Sequence, residues 1–388
     1  MTPAARIAAA IEVLDAWLAG APAERTLTTW GRTHRFAGSK DRAAIRDHVW
    51  EAIRCRRSFA ALGGAETGRG LMIGALRAAR QDPSDVFSGA GHAPPPLAEG
   101  EGDTPTRGVL PENVRLDIPD WLAADLRASL GADFAPVMAA LRHRAPVFLR
   151  VNTVRTSLKA AQAALVAEGI ETRPHALAPA ALEVIVGARR IRGAAAYRDG
   201  LVELQDAASQ AVVAALGVRP GMRVLDYCAG GGGKTLALAA DGAEVAAHDV
   251  DPGRMRDLPE RAKRAGVRPR ILSGEVVAGA GPFDLVFADA PCSGSGAWRR
   301  APEGKWRLTR ARLDDLVALQ AGILDDTAGL VAPDGRLAYA TCSLLEVENG
   351  AQVRGFLDRT AGWRLDTERR FTPLDGGDGF YVAVLSQS

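Results

Sequence analysis

Apolar residues near the start of the chain recur at helical spacing. Ile7, Ile11, Leu14 and Leu18 stand three and four positions apart, on one face of a helix. Ile45, Val49 and Ile53 repeat the pattern after a polar start at Ser39-Lys40-Asp41 that suits a helix cap. No strand-like alternation interrupts these patterns, so residues 1–82 are expected to form an all-helical domain. From Ser88 to Gly108 the chain carries five Gly and four Pro in 21 residues. Such a stretch builds no core, and residues 83–114 read as an exposed linker. Residues 115–205 read as a small mixed unit. It has a helix at Trp121–Leu130, a strand at 147–153, a helix from Ser157 to Glu168, a turn at Gly169 and a strand at 182–186. Beyond Gln205 the pattern becomes regular. RVLDY (223–227), EVAAH (244–248), DLVFA (284–288) and RLAYAT (336–341) are short apolar runs separated by helix-length segments. That alternation predicts an α/β domain over 206–388, a mostly parallel sheet with helices on both faces. Sheets of this kind bind ligands at the carboxyl ends of their strands.

A length of 388 residues leaves room for several units with cores of their own. No apolar run approaches the ~18 residues needed to span a bilayer. Glu12 and Asp15 interrupt the N-terminal apolar stretch and exclude a signal-peptide core. A cytoplasmic protein with no membrane partner is expected. The four cysteines are scattered without a Cys-x-x-Cys pair or nearby histidines, so neither a disulfide framework nor a metal site is indicated. Net charge is only +2, but its distribution is uneven. Residues 25–57 hold nine Lys/Arg against three Asp/Glu, and residues 298–312 hold six against one. Local basic patches on a nearly neutral chain suit a nucleic-acid partner. No obligate protein partner is indicated.

Candidate chemistry gathers at the predicted strand ends. The first strand runs into Asp226, then Tyr-Cys228-Ala229-Gly230-Gly231-Gly232-Gly233-Lys234-Thr235. A P-loop would need Gly where Cys228 stands, and the dinucleotide fingerprint anchored on Gly230 and Gly232 would need Gly where Thr235 stands. A glycine-rich turn after an acidic strand end fits S-adenosyl-L-methionine better, since its methionine moiety is zwitterionic and carries no phosphate. Asp249, 23 residues beyond Asp226, is placed to accept ribose hydroxyls, with Asp251 as the competing choice. Glu275 is expected at the end of a third strand, facing the adenine. The fourth strand runs into Asp289-Ala-Pro-Cys292 and the fifth into Thr341-Cys342. Two thiols would then flank one cleft.

The segments DYCAGGGGKT, ADAPCSGSG and YATCSLLEVEN resemble the motifs of the RsmB/Nop/Sun family of RNA 5-methylcytosine methyltransferases. The GDGFYVAVL ending (377–385) and the RVNT and QDAASQ segments are similar too, and HRFAGSKDRAAIRDHVWEAIR (34–54) resembles a NusB-like RNA-binding domain. The resemblance implies a Rossmann-like class I SAM-dependent methyltransferase domain behind a NusB-like helical domain. It further implies methyl transfer to carbon 5 of cytosine, with Cys342 as nucleophile, Cys292 assisting release and Asp289 on the cytosine edge. Asp226, Cys228, Ala229, the four glycines, Lys234, Asp249, Glu275 and Asp289 would line the cofactor pocket. The chain departs from the family where Gly230-Gly231 replaces Ala-Pro, which should make the loop less rigid, and where Glu275 replaces Asp. RNA contacts are expected from Lys40, Arg42, Arg150, Arg299, Arg300 and Lys305. Trp298 or Trp306 would stack on a displaced base, unless Trp306 belongs to the core. The helical start points to small-subunit rRNA as substrate. The same chemistry on tRNA, and a silent RNA-binding or assembly factor, are the alternatives.

Overall fold

A computed structural model describes residues 1–102 and 110–388; the part of the expected linker at 103–109 lies outside the described residues. The chain divides into two compact units. The first comprises residues 1–127, 131–144 and 298–307; the second comprises 128–130, 145–297 and 308–388.

The first unit is helical. Helices Pro3–Leu18, Ala23–Thr33, Ser39–Arg54, Arg56–Gly63 and Gly68–Ala78 enclose a core that includes Ile7, Leu14, Ile45, Val49, Ile53 and Leu71. Each such side chain, removed from water, contributes roughly 1.5–3 kcal/mol. The helix starting at Ser39 is capped as its sequence suggests, with Asp41 Oδ2 accepting the Gly38 N–H at 3.2 Å. Two differences from the sequence reading follow from side-chain chemistry. The described part of the Pro/Gly-rich linker, up to residue 102, is mostly exposed but fastened down. Phe87 joins the core, and Arg69 donates to the carbonyls of Pro95 and Pro96 and pairs with Glu101. The helical unit also continues past residue 115. Asp117 is fully buried and accepts the Ser58 N–H and hydroxyl and the Arg142 guanidinium, at 2.7–2.8 Å. That knot holds the segment up to Arg144 with the earlier helices.

The second unit contains two sheets. Strands β1 (Val147–Val151), β2 (Glu171–Pro174), β3 (Ala181–Val186) and β4 (Val202–Leu204) form an antiparallel sheet in the order β2-β3-β1-β4. The larger sheet contains β5 (Arg223–Asp226), β6 (Glu244–Ala247), β7 (Arg270–Ile271), β8 (Phe283–Asp289), β9 (Val331–Thr341), β10 (Trp363–Phe371) and β11 (Phe380–Gln387). Its order is β10-β11-β9-β8-β5-β6-β7; β5 to β9 run parallel and β11 is antiparallel to both its neighbours. Apolar clusters cover both faces, with Leu225, Val286, Leu337 and Tyr339 in one and Val224, Leu285, Phe287 and Ala338 in the other. Residues alternate between faces along each strand, so strands covered on both sides must be apolar throughout. This is the Rossmann-like arrangement expected. Among the described residues, no helix is long and apolar enough to cross a membrane.

Candidate active site

The carboxyl ends of β5, β6, β8 and β9 carry the groups singled out from the sequence. Asp226 closes β5 and is 1% exposed. Its Oδ2 accepts the Thr235 hydroxyl at 2.6 Å, while Oδ1 is buried without a partner. Burial pushes this carboxyl up to about 7, against the pull of Thr235. The glycine-rich turn follows. Gly230 and Gly232 adopt φ of +52° and +80°, and a Cβ on Gly232 would lie 2.3 Å from Leu258 Cδ1. Only glycine meets both demands at that position. The turn is pinned despite its composition. Gly230 N–H donates to Asp249 Oδ2 at 2.9 Å, and the Arg261 guanidinium donates to the Gly231 carbonyl. Ala229 N–H donates to the His248 carbonyl at 2.8 Å. Gly233 opens the next helix, Gly233–Ala240. Cys228 is half-buried, and burial raises its thiol.

Asp249, 2% exposed, lies just beyond β6 and also accepts the Asp251 N–H at 3.0 Å and pairs with Arg254 at 3.2 Å. Asp251 instead takes the Gly253 N–H at 2.9 Å. Glu275 departs from expectation. The edge strand β7 ends at Ile271, so Glu275 falls in the first turn of helix Gly274–Ala280, and it is exposed. A strand paired on one side, with two residues in register, is too short to carry it to the strand end.

Lys234 reaches Asp289, at the end of β8, with Nζ 2.5 Å from Oδ2 and 5.0 Å from the centre of the Phe380 ring. Burial alone would lower the Lys234 ammonium, but Asp289 outweighs it and holds it above its usual value. Beyond Asp289, the loop carrying Cys292 meets the loop after β9 carrying Cys342. The two sulfur atoms are 3.3 Å apart. The hydrogen bond with Cys342, followed by burial, keeps the Cys292 thiol well above the ordinary thiol range. The backbones behind them touch as well. Gly296 N–H donates to the Cys342 carbonyl and Gly379 N–H to the Gly296 carbonyl, both at 3.0 Å.

One group in this corner escaped the sequence reading. Glu348 is fully buried and accepts from Ser293 N–H at 2.8 Å, Ser293 Oγ at 2.5 Å, Ser343 Oγ at 2.5 Å and Gln320 Nε2 at 3.1 Å. Its only signal was position, six residues after Cys342 inside the YATCSLLEVEN segment.

The expected RNA contacts divide sharply. Lys40, Arg42 and Arg300 are exposed. Arg150, Arg299 and Lys305 are 6%, 5% and 3% exposed and present no cation to a phosphate, so that expectation is corrected for all three. Arg150 lies in β1 opposite Glu203, and burial lowers its guanidinium to about 10. Lys305 and Trp306 satisfy orphan carbonyls at the end of helix Ser39–Arg54. Lys305 Nζ donates to the Arg54 carbonyl at 3.0 Å, and Trp306 Nε1 to that of Ile53 at 2.6 Å. Arg54 Nε in turn donates to the Arg299 carbonyl at 2.7 Å. Trp298 is 2% exposed, and Trp306 packs on the helical core, so neither ring offers a face to a base. A further group of exposed cations lies in the helical unit. Arg32, Arg35, Lys40 and Arg42 are exposed and lie within six residues of Phe36 in the chain, and Phe36 is 73% exposed and edge-on to His34.

Comparison with known proteins agrees with this geometry. Residues 213–386 match the family model for 16S rRNA methyltransferase RsmB/F, and residues 118–188 match the ferredoxin-like domain of RsmF/B-like methyltransferases. The chain is 33% identical over 282 residues to ribosomal RNA small subunit methyltransferase B from Escherichia coli, covering 69% of this chain and 66% of the relative. Among solved structures, that of PH0851 superposes with a TM-score of 0.78 at 22% identity, over 100% of this chain and 99% of the other. A methyltransferase homolog from Pyrococcus horikoshii gives 0.63 at 24% identity, over 73% of this chain and 100% of the other.

Proposed function

The chain belongs to the RsmB/F family of methyltransferases, and from that premise we propose that it methylates carbon 5 of a cytosine in small-subunit ribosomal RNA. The observation that carries the reading is the pair of thiols 3.3 Å apart where two neighbouring parallel strands end. Carbon 5 of cytosine is a poor nucleophile until the conjugation of its ring is broken. Cys342, as thiolate, adds to carbon 6, and the new S–C6 bond turns carbon 5 into an enamine-like nucleophile. S-adenosyl-L-methionine supplies the electrophilic methyl group. A water molecule takes the carbon 5 proton, the electron pair left behind restores the 5,6 double bond, the S–C6 bond breaks and the Cys342 thiolate is regenerated. Cys292, held protonated beside Cys342, assists that release.

The cofactor fits the residues present. The partnerless Asp226 Oδ1 and the side-chain-free turn at Gly230–Gly233, in which Gly231 is exposed, form an acidic cradle at the end of β5. Asp226 and the turn would hold the methionine moiety, and Asp249 the ribose. Lys234 orients Asp289 towards the cytosine edge, where it stabilises charge developing on the ring. Arg32, Arg35, Lys40 and Arg42 supply phosphate contacts, with Phe36 available to an unpaired base.

Radiolabelled S-adenosyl-L-methionine and unmethylated small-subunit rRNA test the proposal. Label in 5-methylcytosine is expected from wild type and absent from Cys342→Ala. Cys292→Ala should instead accumulate covalent protein–RNA adduct. Full activity of Cys342→Ala would sink the mechanism. Label on tRNA alone would move the substrate, and no label on any RNA despite cofactor binding would favour a silent binding factor.

A further inference from the structure

Glu348 touches neither thiol, yet it is bonded to both loops that carry them. Ser293, next to Cys292, gives it an N–H and a hydroxyl; Ser343, next to Cys342, gives it a second hydroxyl. Gln320, itself fully buried, donates to Glu348 Oε1 and to the carbonyl of Pro291, on the other side of Cys292. The backbone around the carboxylate is fixed too. Tyr339 hydroxyl donates to the Glu348 carbonyl at 2.7 Å, and Asn349 Nδ2 donates to the Ser343 carbonyl at 3.0 Å. Ser295 ties the loops a second time, receiving the Leu344 N–H at 2.8 Å.

A carboxylate is costly to bury, and four donors converging on two oxygens offset that cost. Apolar packing would have sufficed merely to fill this space. An acceptor-only group is needed where hydrogens arrive from both cysteine loops at once. Resting on the cysteine mechanism above, we propose that Glu348 is a positioning residue that clamps the loop of Cys292 to the loop of Cys342 and so sets the distance between the two thiols. Its task is the release half of the reaction. Cys342 can attack a cytosine wherever its own loop presents it. Cys292 assists elimination only while it stays within reach of the S–C6 bond.

Glu348→Gln keeps the volume but puts an NH2 group in place of one accepting oxygen, so the hydroxyls of Ser293 and Ser343 must turn to accept and the charge-assisted strength of the bonds is lost. Turnover should fall about 100-fold, the effect of displacing a reacting group by about an ångström. Affinity for S-adenosyl-L-methionine should hold. The ratio of covalent RNA adduct to methylated product should rise towards that of Cys292→Ala. General loss of structure would instead lower adduct and product together. Ser343→Ala, which removes one donor and leaves the carboxylate, should show the same shift in weaker form and serves if Glu348→Gln does not fold. An unchanged adduct-to-product ratio in a folded variant, with wild type active, would overturn the clamp alone. RNA methylation at full rate by Cys342→Ala would overturn the underlying mechanism instead.

Discussion

The cysteine corner and the segment Trp298–Arg307 are almost consecutive in the chain, and both bury ionisable side chains. The corner buries Glu348 under four donors, three of them on the loops that carry Cys292 and Cys342 and the fourth, Gln320, on the helix Arg310–Ala328. The segment buries Lys305 against one helix-terminal carbonyl, with its ammonium 4.6 Å from the centre of the Trp306 ring. In the first case burial fixes a geometry that a reaction can use. In the second it closes the end of a helix and joins two distant stretches of chain. A buried charge is therefore no mark of function until its partners are counted and traced to what they hold.

The contrast can be broken by substitution. The largest effect is expected at Asp289→Ala, which leaves the Lys234 ammonium buried without its carboxylate. kcat/KM for RNA methylation should drop about 100-fold, as measured by label incorporation. A change below threefold would remove Asp289 from the chemistry. Lys305→Met should leave methylation unchanged, and its signature is in the pH dependence of melting. Burial depresses the folded-state Lys305 to about 8, from 10.5, so the folded protein binds fewer protons across that window. Wild-type stability relative to Lys305→Met should therefore rise between pH 8 and 10.5, by up to about 3 kcal/mol. Parallel melting curves across that window would place Lys305 in contact with solvent. The smallest effect is expected at Arg35→Ala and Lys40→Ala. Each should weaken RNA binding a few-fold and flatten its salt dependence by about one counterion. Salt slopes identical to wild type would send the RNA to another face.

These two regions also show where the sequence could be read. Asp226, Asp289, Cys292 and Cys342 were legible because parallel strands buried on both faces are short apolar runs, and the residue after each run is fixed at one edge of the sheet. Glu275 was misplaced because β7 is an edge strand of two residues, too short to announce its own end. Arg150, Arg299 and Lys305 were misread because composition reports charge and not exposure. Nothing in a run of basic residues marks which one turns inward to meet a helix carbonyl. Glu348 was passed over for the converse reason. An acidic residue among other acids reads as solvated, and only the folded chain brings Ser293, Gln320 and Ser343 around it.

The path of the chain has a consequence for modularity. The helical unit includes ten residues, Trp298–Arg307, that arrive between β8 and β9 of the other unit. It is therefore not a detachable cassette. A cut near residue 145 would release a helical fragment lacking Lys305 and Trp306 at the end of helix Ser39–Arg54. The remaining fragment would carry Lys305 and Trp306 without the helix whose carbonyls they bond. An insertion of this kind couples the inheritance of the two units, so a recombination that exchanged residues 1–144 would also have to exchange the downstream segment Trp298–Arg307.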